Sequence, residues 1–364
     1  MTAPLRLRLD PAALADNWRT LDRMSGRAAC GAALKANGYG LGATEVASHL
    51  REAGCRDFFV ATWAEAERLA PLRLPLSVLH GVRDEDMAIA LVGIARPVLN
   101  TDAQVARWRA AGGGACDVMV DTGMNRLGVS PQAVRTGLLD GLAIDTLMSH
   151  LACADEDSAM NARQLAAFAA LRGATGARRM SLANSAGIAL GTDYAFDLTR
   201  PGLALYGGIP RPDFAGLIRQ VVQPEAQILQ RRTVAAGDTV GYNATWTAPR
   251  ETEVAILNLG YADGYLRAFS DRGSAQGGTL PVIGRVSMDL LAVNVTAAPN
   301  VAEGDWLAID FALPDAAAQS GLSQYELLTG LGARYARVWG CGGVGVTKKG
   351  PLPKKRPNCF SISK

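Results

Sequence analysis

Cysteine is sparse and unpaired in this chain: Cys30, Cys55, Cys116, Cys153, Cys341 and Cys359 are scattered over 364 residues, and no two form a CxxC pair. With only three histidines beside them, neither a disulfide framework nor a zinc site is indicated. Buried free thiols are expected, and no metal. Long apolar runs are missing too. No stretch approaches the ~18 residues of a membrane span, and "MTAPLRLRLDPAALADNW" lacks the continuous apolar segment of a secretory signal. These absences predict a cytoplasmic protein without a membrane partner. Acid is missing from residues 341–364, which hold Lys348, Lys349, Lys354, Lys355, Arg356 and Lys364. The formal charge of +3 therefore belongs to the tail, the rest of the chain carries −3, and nucleic-acid binding is not indicated.

What is present is 49% hydrophobic and 20% charged residues, enough core for one large domain or two medium ones. Up to about residue 209, short apolar runs alternate with longer stretches of helical period, the pattern of repeated βα units around a parallel sheet. Eight runs are read as strands: "AALK" (32–35), "FFVAT" (58–62), "LSVLHG" (76–81), "RPVLN" (96–100), "DVMVD" (117–121), "TLMSH" (146–150), "MSLAN" (180–184) and "LALYGG" (203–208). The fold class is α/β, an N-terminal (β/α)8 TIM-type barrel followed by a C-terminal mainly-β domain. Asp10 and Pro11 mark a helix start, and Thr101 is a candidate cap for "DAQVARWRAAGG". After "RPDFAGLIRQ" the helical period disappears and strand-like runs follow, separated by turn residues. The predicted division is a strand over 1–8 associated with the β domain, a barrel over 9–219, the β domain over 220–339 and a disordered basic tail over 340–364.

Active sites of such barrels lie at the C-terminal ends of the strands. The first strand is expected to end in Lys35, the fifth to lead to Arg126, the sixth to end in His150 and the seventh in Asn184 and Ser185, with Arg200 just before the eighth. Taken alone, Lys35 is as readily a surface lysine with a snorkelling stem. In this company a desolvated amine becomes nucleophilic, and Schiff-base formation with a carbonyl cofactor is its commonest use. Tyr39, Ser185 and the backbone amides of Gly202 and Leu203 would suit a phosphate. Lysine and phosphate cradle together point to pyridoxal 5'-phosphate.

Nine segments stand in an order that resembles one known family: "LKANGYG", "VDTGMNRLGV", "SHLACADE", "ANSAG", "RPGLALYG", "VGYNATW", "GYADGYLR", "GRVSMD" and "YELLTGLG". The chain resembles the alanine racemases, fold type III pyridoxal-phosphate enzymes, over nearly its whole length. The resemblance implies that Lys35 carries the cofactor and, once substrate displaces it, serves as base on one face of the α-carbon. Tyr261 would be the opposite base, supplied by the partner subunit of a homodimer with shared active sites. Arg200 would face the cofactor's ring nitrogen, with His150 nearby. Arg126 would bond the cofactor's phenolic oxygen and help orient the substrate carboxylate, which the backbone of Met288 would also meet. A phenol must lose proton affinity to act as a base near neutrality, and nearby cations favour that.

Three departures accompany the resemblance. Where many relatives carry a carbamylated lysine that steadies the arginine, this chain has Met119, so another anion or a hydrogen bond is expected to hold Arg126. Gly38 and Leu41 replace more usual residues beside Lys35. Ala333 stands where a gating tyrosine is expected, which would widen the entrance. The implied function is interconversion of L- and D-alanine for peptidoglycan; a broader or serine-preferring racemase and a non-catalytic pyridoxal-phosphate carrier are the alternatives.

Overall fold

The structure, a computed structural model, describes residues 3–340. The predicted tail beyond Gly340 lies outside the described residues. Seven short parallel strands follow one another in chain order: Ala32–Ala33, Phe58–Val60, Leu76–Val78, Arg96–Leu99, Cys116–Met119, Ile144–Met148 and Arg179–Ser181. An eighth, Leu198–Thr199, closes the barrel by pairing in parallel with Ala29–Cys30. On its other side Asp197 N donates to Met180 O at 3.0 Å and Arg200 N to Ala183 O at 2.9 Å. Gly31 stands where the first strand serves both neighbours: Gly31 N donates to Thr199 O and Ala32 N to Asp57 O. A Cβ on Gly31 would lie 2.9 Å from both Asp57 O and the Phe59 ring, so no larger residue fits without movement.

The expected eighth strand is therefore corrected. "LALY" forms a 3-10 turn, Leu203–Tyr206, and Arg200 follows the true eighth strand instead of preceding it. The apolar run is buried on all sides, which periodicity alone does not separate from a buried strand.

The helices form as their caps direct. Asp10 Oδ1 accepts from Ala13 N at 2.9 Å at the head of Pro11–Met24, which buries Ala13, Leu14, Asn17, Trp18 and Leu21 along one face. Thr101 Oγ1 accepts from Gln104 N to open Asp102–Ala110.

Three layers fill the barrel. At the N-terminal ends of the strands, Asp57, Asp117 and Asp145 meet Arg96 and Arg179; Arg179 donates to Asp57 at 2.8 Å and to Asp145 at 2.6 Å. Burial pushes the Asp117 carboxyl up, against the opposing pull of Arg96 and of the Ser77 hydroxyl. Above this lie Phe59, Val98, Met119, Met148 and Leu198, all buried and apolar. The third layer, at the C-terminal ends, is polar.

The second module is built on Val222–Val234, which pairs antiparallel with Leu5–Leu9, Thr252–Leu257 and Trp306–Ala308. Leu5–Leu9 alternates buried and half-buried residues and pairs in parallel with Ala336–Trp339 on its other edge. Helices do return here, against the sequence-based expectation. Leu313–Ser320 and Gln324–Thr329 are helices, the second opened by a Ser323–Glu326 capping box.

Candidate active site

Immediately after Lys35 the backbone winds the wrong way for L-residues. Ala36, Asn37, Gly38, Tyr39 and Gly40 have φ of +54°, +55°, +64°, +53° and +84°. Hydrogen bonds close this left-handed turn, among them Gly38 N to Leu34 O at 2.7 Å, Gly40 N to Ala36 O at 2.9 Å and Gly42 N to Asn37 O at 2.9 Å. Each non-glycine residue there costs about 1–2 kcal/mol. Packing offsets part of that cost. The buried Tyr39 ring stacks on Tyr206 with centroids 4.6 Å apart, and Tyr206 Oη donates to Ala33 O at 2.7 Å. The turn turns Lys35 into a cavity of about 350 Å³.

That cavity brings together nine of the residues expected from sequence: Lys35, Tyr39, Arg126, His150, Asn184, Ser185, Arg200, Gly202 and Leu203. Asp121 and Tyr325 also line it, the Tyr325 ring 6.3 Å from that of Tyr39. Ser185 is buried, and its Oγ accepts from Gly202 N at 2.9 Å and Ala204 N at 3.2 Å. Asn184 caps the following helix, Ser185–Ala189, accepting from Gly187 N at 2.8 Å. A Cβ on Gly202 would fall 2.2 Å from Tyr39 Oη, so glycine is what lets the backbone approach this wall.

Electrostatically the cavity is cationic. Arg200 is 7% exposed and donates to Ser149 O at 2.6 Å and to Ser181 Oγ. Burial lowers its guanidinium to about 10, which leaves it charged at neutrality. Burial first, then Arg200, Arg126 and Lys35, push His150 down to about 3, so its imidazole is neutral. Burial and the Arg126 charge also lower Lys35, while Glu65 opposes them. An amine so placed is more readily deprotonated than one in water.

Arg126 sits in a loop held by Asp121, whose Oδ1 accepts from Gly123 N at 2.8 Å and Asn125 N at 3.1 Å. Among the described residues no carboxylate or other acceptor lies within hydrogen-bond distance of the Arg126 guanidinium. Met119 contributes an uncharged thioether to the apolar layer beneath. Arg126 thus lines the cavity with its donors available to an external carboxylate.

Tyr261 and Met288 do not line this cavity; they lie together on the second module. Tyr261 N donates to Ser287 O at 3.0 Å, and Ala262 N to Met288 O at 3.1 Å. Gly260 makes the approach possible, since a Cβ there would lie 2.3 Å from Met288 O. Asp263, 1% exposed, locks the turn by accepting from Gly260 N at 3.0 Å and from Arg334 Nε and Nη2 at 2.6 and 2.8 Å. The Arg267 guanidinium lies 5.2 Å from the Tyr261 ring centroid, a cation facing the ring.

Sequence reasoning missed Tyr325, Arg267 and Arg334. Ala333 is exposed beside Arg334, whereas the tyrosine at the cavity mouth is Tyr325. Both Tyr325 and Arg267 lay within quoted motifs, "YELLTGLG" and "GYADGYLR", and the arginine's place after the tyrosine was the available signal.

A closed barrel with a lysine after its first strand, an anion-seeking cavity at the strand ends and a β module carrying an ordered tyrosine define the class of barrel-type pyridoxal-phosphate isomerases. The family description "Alanine racemase, N-terminal domain" matches residues 9–210, and "Alanine racemase, C-terminal domain" matches residues 221–339. An alanine racemase of Acidiphilium cryptum is 43% identical over 351 residues, covering 91% of this chain and 98% of the relative. Catabolic and biosynthetic alanine racemases of Agrobacterium fabrum are 41% and 40% identical, over 92% and 93% of this chain and 91% and 94% of their own lengths. A crystal structure of the Bartonella henselae alanine racemase with covalently bound pyridoxal phosphate superposes with a TM-score of 0.85 at 33% identity, covering 93% of this chain and all of that one. The chain belongs to the alanine racemase family.

Proposed function

We propose that this chain interconverts L- and D-alanine, using pyridoxal phosphate held at Lys35 and two bases on opposite faces of the α-carbon. The observation that carries the reading is the convergence of Lys35, Arg126, Arg200 and neutral His150 on one cavity whose wall includes the Ser185–Gly202 cradle. The donor set fits the cofactor. A phosphate finds Ser185, Tyr39 and the backbone at Gly202 and Leu203, and a carbonyl carbon finds the Lys35 amine. Bound there, the cofactor supplies a conjugated ring that takes up the electron pair left when an α-proton departs.

The chain's own groups do the rest. Arg126 receives the substrate carboxylate, with the backbone of a partner's Met288 beside it in this reading. Lys35 Nζ takes or returns a proton on one face, and Tyr261 Oη does the opposite on the other, so the stereocentre inverts. Arg200, which stays charged, cannot lend a proton to the ring nitrogen, and this restrains deeper delocalisation and the side reactions it permits.

Because Tyr261 does not line the cavity of its own chain, the reading includes a homodimer in which each subunit brings the tyrosine to its partner's lysine. Exposed apolar residues support this on both surfaces: Leu127 and Tyr325 are 44% and 43% exposed at the cavity, and Met288 and Leu290 are 53% and 41% exposed beside Tyr261. Within this reading residues 9–219 hold the cofactor, while 220–339 and the first strand present the second base. D-Alanine so made would serve peptidoglycan assembly in the cytoplasm; of two similar relatives, one is described as biosynthetic and the other as catabolic.

The test is α-proton exchange in deuterium oxide and racemisation of L-alanine and L-serine by the purified protein, alongside Lys35→Ala and Tyr261→Phe. Rapid alanine racemisation, reduced at least about 10³-fold in both variants, is expected. Cofactor binding without exchange would instead leave a carrier, and faster turnover of serine would move the substrate assignment.

A further inference from the structure

A carboxylate outside the cavity lining reaches the Lys35 turn. Glu65 is the third residue of the helix Trp63–Leu69, and Thr62 Oγ1 accepts from Glu65 N at 3.3 Å. In an ordinary capping box that glutamate closes on the N–H of the cap residue alone. Here Oε2 accepts from Thr62 N at 3.2 Å and also from Ala61 N at 2.7 Å. Oε1 crosses to the preceding strand end and accepts from Ala36 N at 2.7 Å. One carboxylate therefore ties the end of the second strand to the first residue of the left-handed turn.

Ala36 requires such an acceptor. The hydrogen bonds that close the turn begin at Gly38 N, so the first N–H of the turn has no partner within it. A carboxylate is the strongest acceptor a side chain offers, and it holds a φ that alanine otherwise avoids. Its charge also matters. Desolvation and Arg126 both disfavour the Lys35 ammonium, and Glu65 is the anion that opposes them.

We propose that Glu65 is a positioning residue for Lys35: its carboxylate fixes the turn that presents the amine to the cavity and is the counter-charge to the ammonium form. The inference rests on the reading of Lys35 as a base. Loss of the counter-charge lowers the amine's proton affinity, so its neutral form persists to lower pH.

In the holoenzyme, α-deuterium exchange is followed against pH for each enantiomer separately, in the parent, Glu65→Gln and Glu65→Asp. The enantiomer whose exchange survives Tyr261→Phe is the one that Lys35 deprotonates. For that enantiomer Glu65→Gln is expected to move the acidic limb down by about one pH unit, with the limb of the other enantiomer unmoved. Glu65→Asp keeps the charge and is expected to leave the limb in place while slowing both directions, because the shorter side chain loses Ala36. An equal fall in both directions with unmoved limbs would reduce Glu65 to a helix cap and overturn the proposal. A second measurement does not depend on turnover: the pH midpoint for acylation of Lys35 by acetic anhydride in the cofactor-free full chain, read by peptide mass spectrometry. It is expected about one unit lower in Glu65→Gln, and an unmoved midpoint would also overturn the proposal. A shifted midpoint in a protein that does not racemise would overturn the assigned reaction and leave the role of Glu65 standing.

Discussion

His150 shows how far a residue's surroundings decide its chemistry. Its imidazole is enclosed with three cationic neighbours, and burial together with Arg200, Arg126 and Lys35 takes it from 6.5 to about 3. The unfolded chain then binds a proton that the folded chain refuses. Stability must fall as pH drops below about 6.5 and keep falling until about 3. In urea unfolding of the cofactor-free chain, the parent is expected to lose on the order of 1 kcal/mol per pH unit more than His150→Gln between pH 6 and 4. Parallel profiles would show that His150 is protonated in the folded state. At this scale the cavity was largely legible in sequence, because Lys35, Arg126, His150, Asn184 and Ser185 each follow an apolar run that ends at the barrel mouth. Glu65 was not. Locally it is an ordinary capping-box glutamate, and its reach to Ala36 exists only once two strands lie side by side.

At the scale of elements, the turns that carry Lys35 and Tyr261 differ in hand and in what braces them. The Lys35 turn is left-handed, closed by backbone bonds and tied to the second strand by the Glu65 carboxylate, whereas the Tyr261 turn is closed by backbone bonds and braced by the buried Asp263 and its arginine. Arg334 donates twice to buried Asp263 and once to Asp289, at 2.6 Å. Because the arginine is half exposed, the pair is worth less than a fully buried one. Arg334→Ala is expected to cost about 1–2 kcal/mol in thermal unfolding and to lower kcat more than KM, since Tyr261 loses its fixed place without loss of the carboxylate site. A change in KM alone would separate Arg334 from the tyrosine. Element boundaries were the least legible part. "LALY" is as apolar as a strand, yet the closing strand is Leu198–Thr199, too short to show a period of its own. The helices Leu313–Ser320 and Gln324–Thr329 are likewise too brief to display a helical repeat among strands.

At the scale of the whole molecule, one chain presents a lysine in a cavity and a tyrosine on another surface. If two chains exchange these groups, Lys35→Ala and Tyr261→Phe each destroy both sites of a homodimer. Unfolding the two variants together and refolding them should restore about a quarter of the parent activity, because half of the dimers are mixed and each mixed dimer has one intact site. No recovery, with mixed dimers demonstrated by mass spectrometry, would place both bases within one chain. The barrel-plus-β organisation was legible because period 3.6 gives way to alternation near residue 220. What joins the modules was less so, since no local signal says that Leu5–Leu9 lies between Val222–Val234 and Ala336–Trp339.

That placement governs the order in which the protein can be completed during its synthesis. Leu5–Leu9 is translated before every strand of the barrel, but its antiparallel neighbour, Val222–Val234, is made only after the last barrel strand. Its parallel neighbour, Ala336–Trp339, is made later still. Throughout that interval Leu5, Leu7 and Leu9, all buried in the finished sheet, have no native sheet to cover them. A nascent chain in this condition is slow to complete and open to misassociation, so a strand translated ahead of the whole barrel is among the last to become safe.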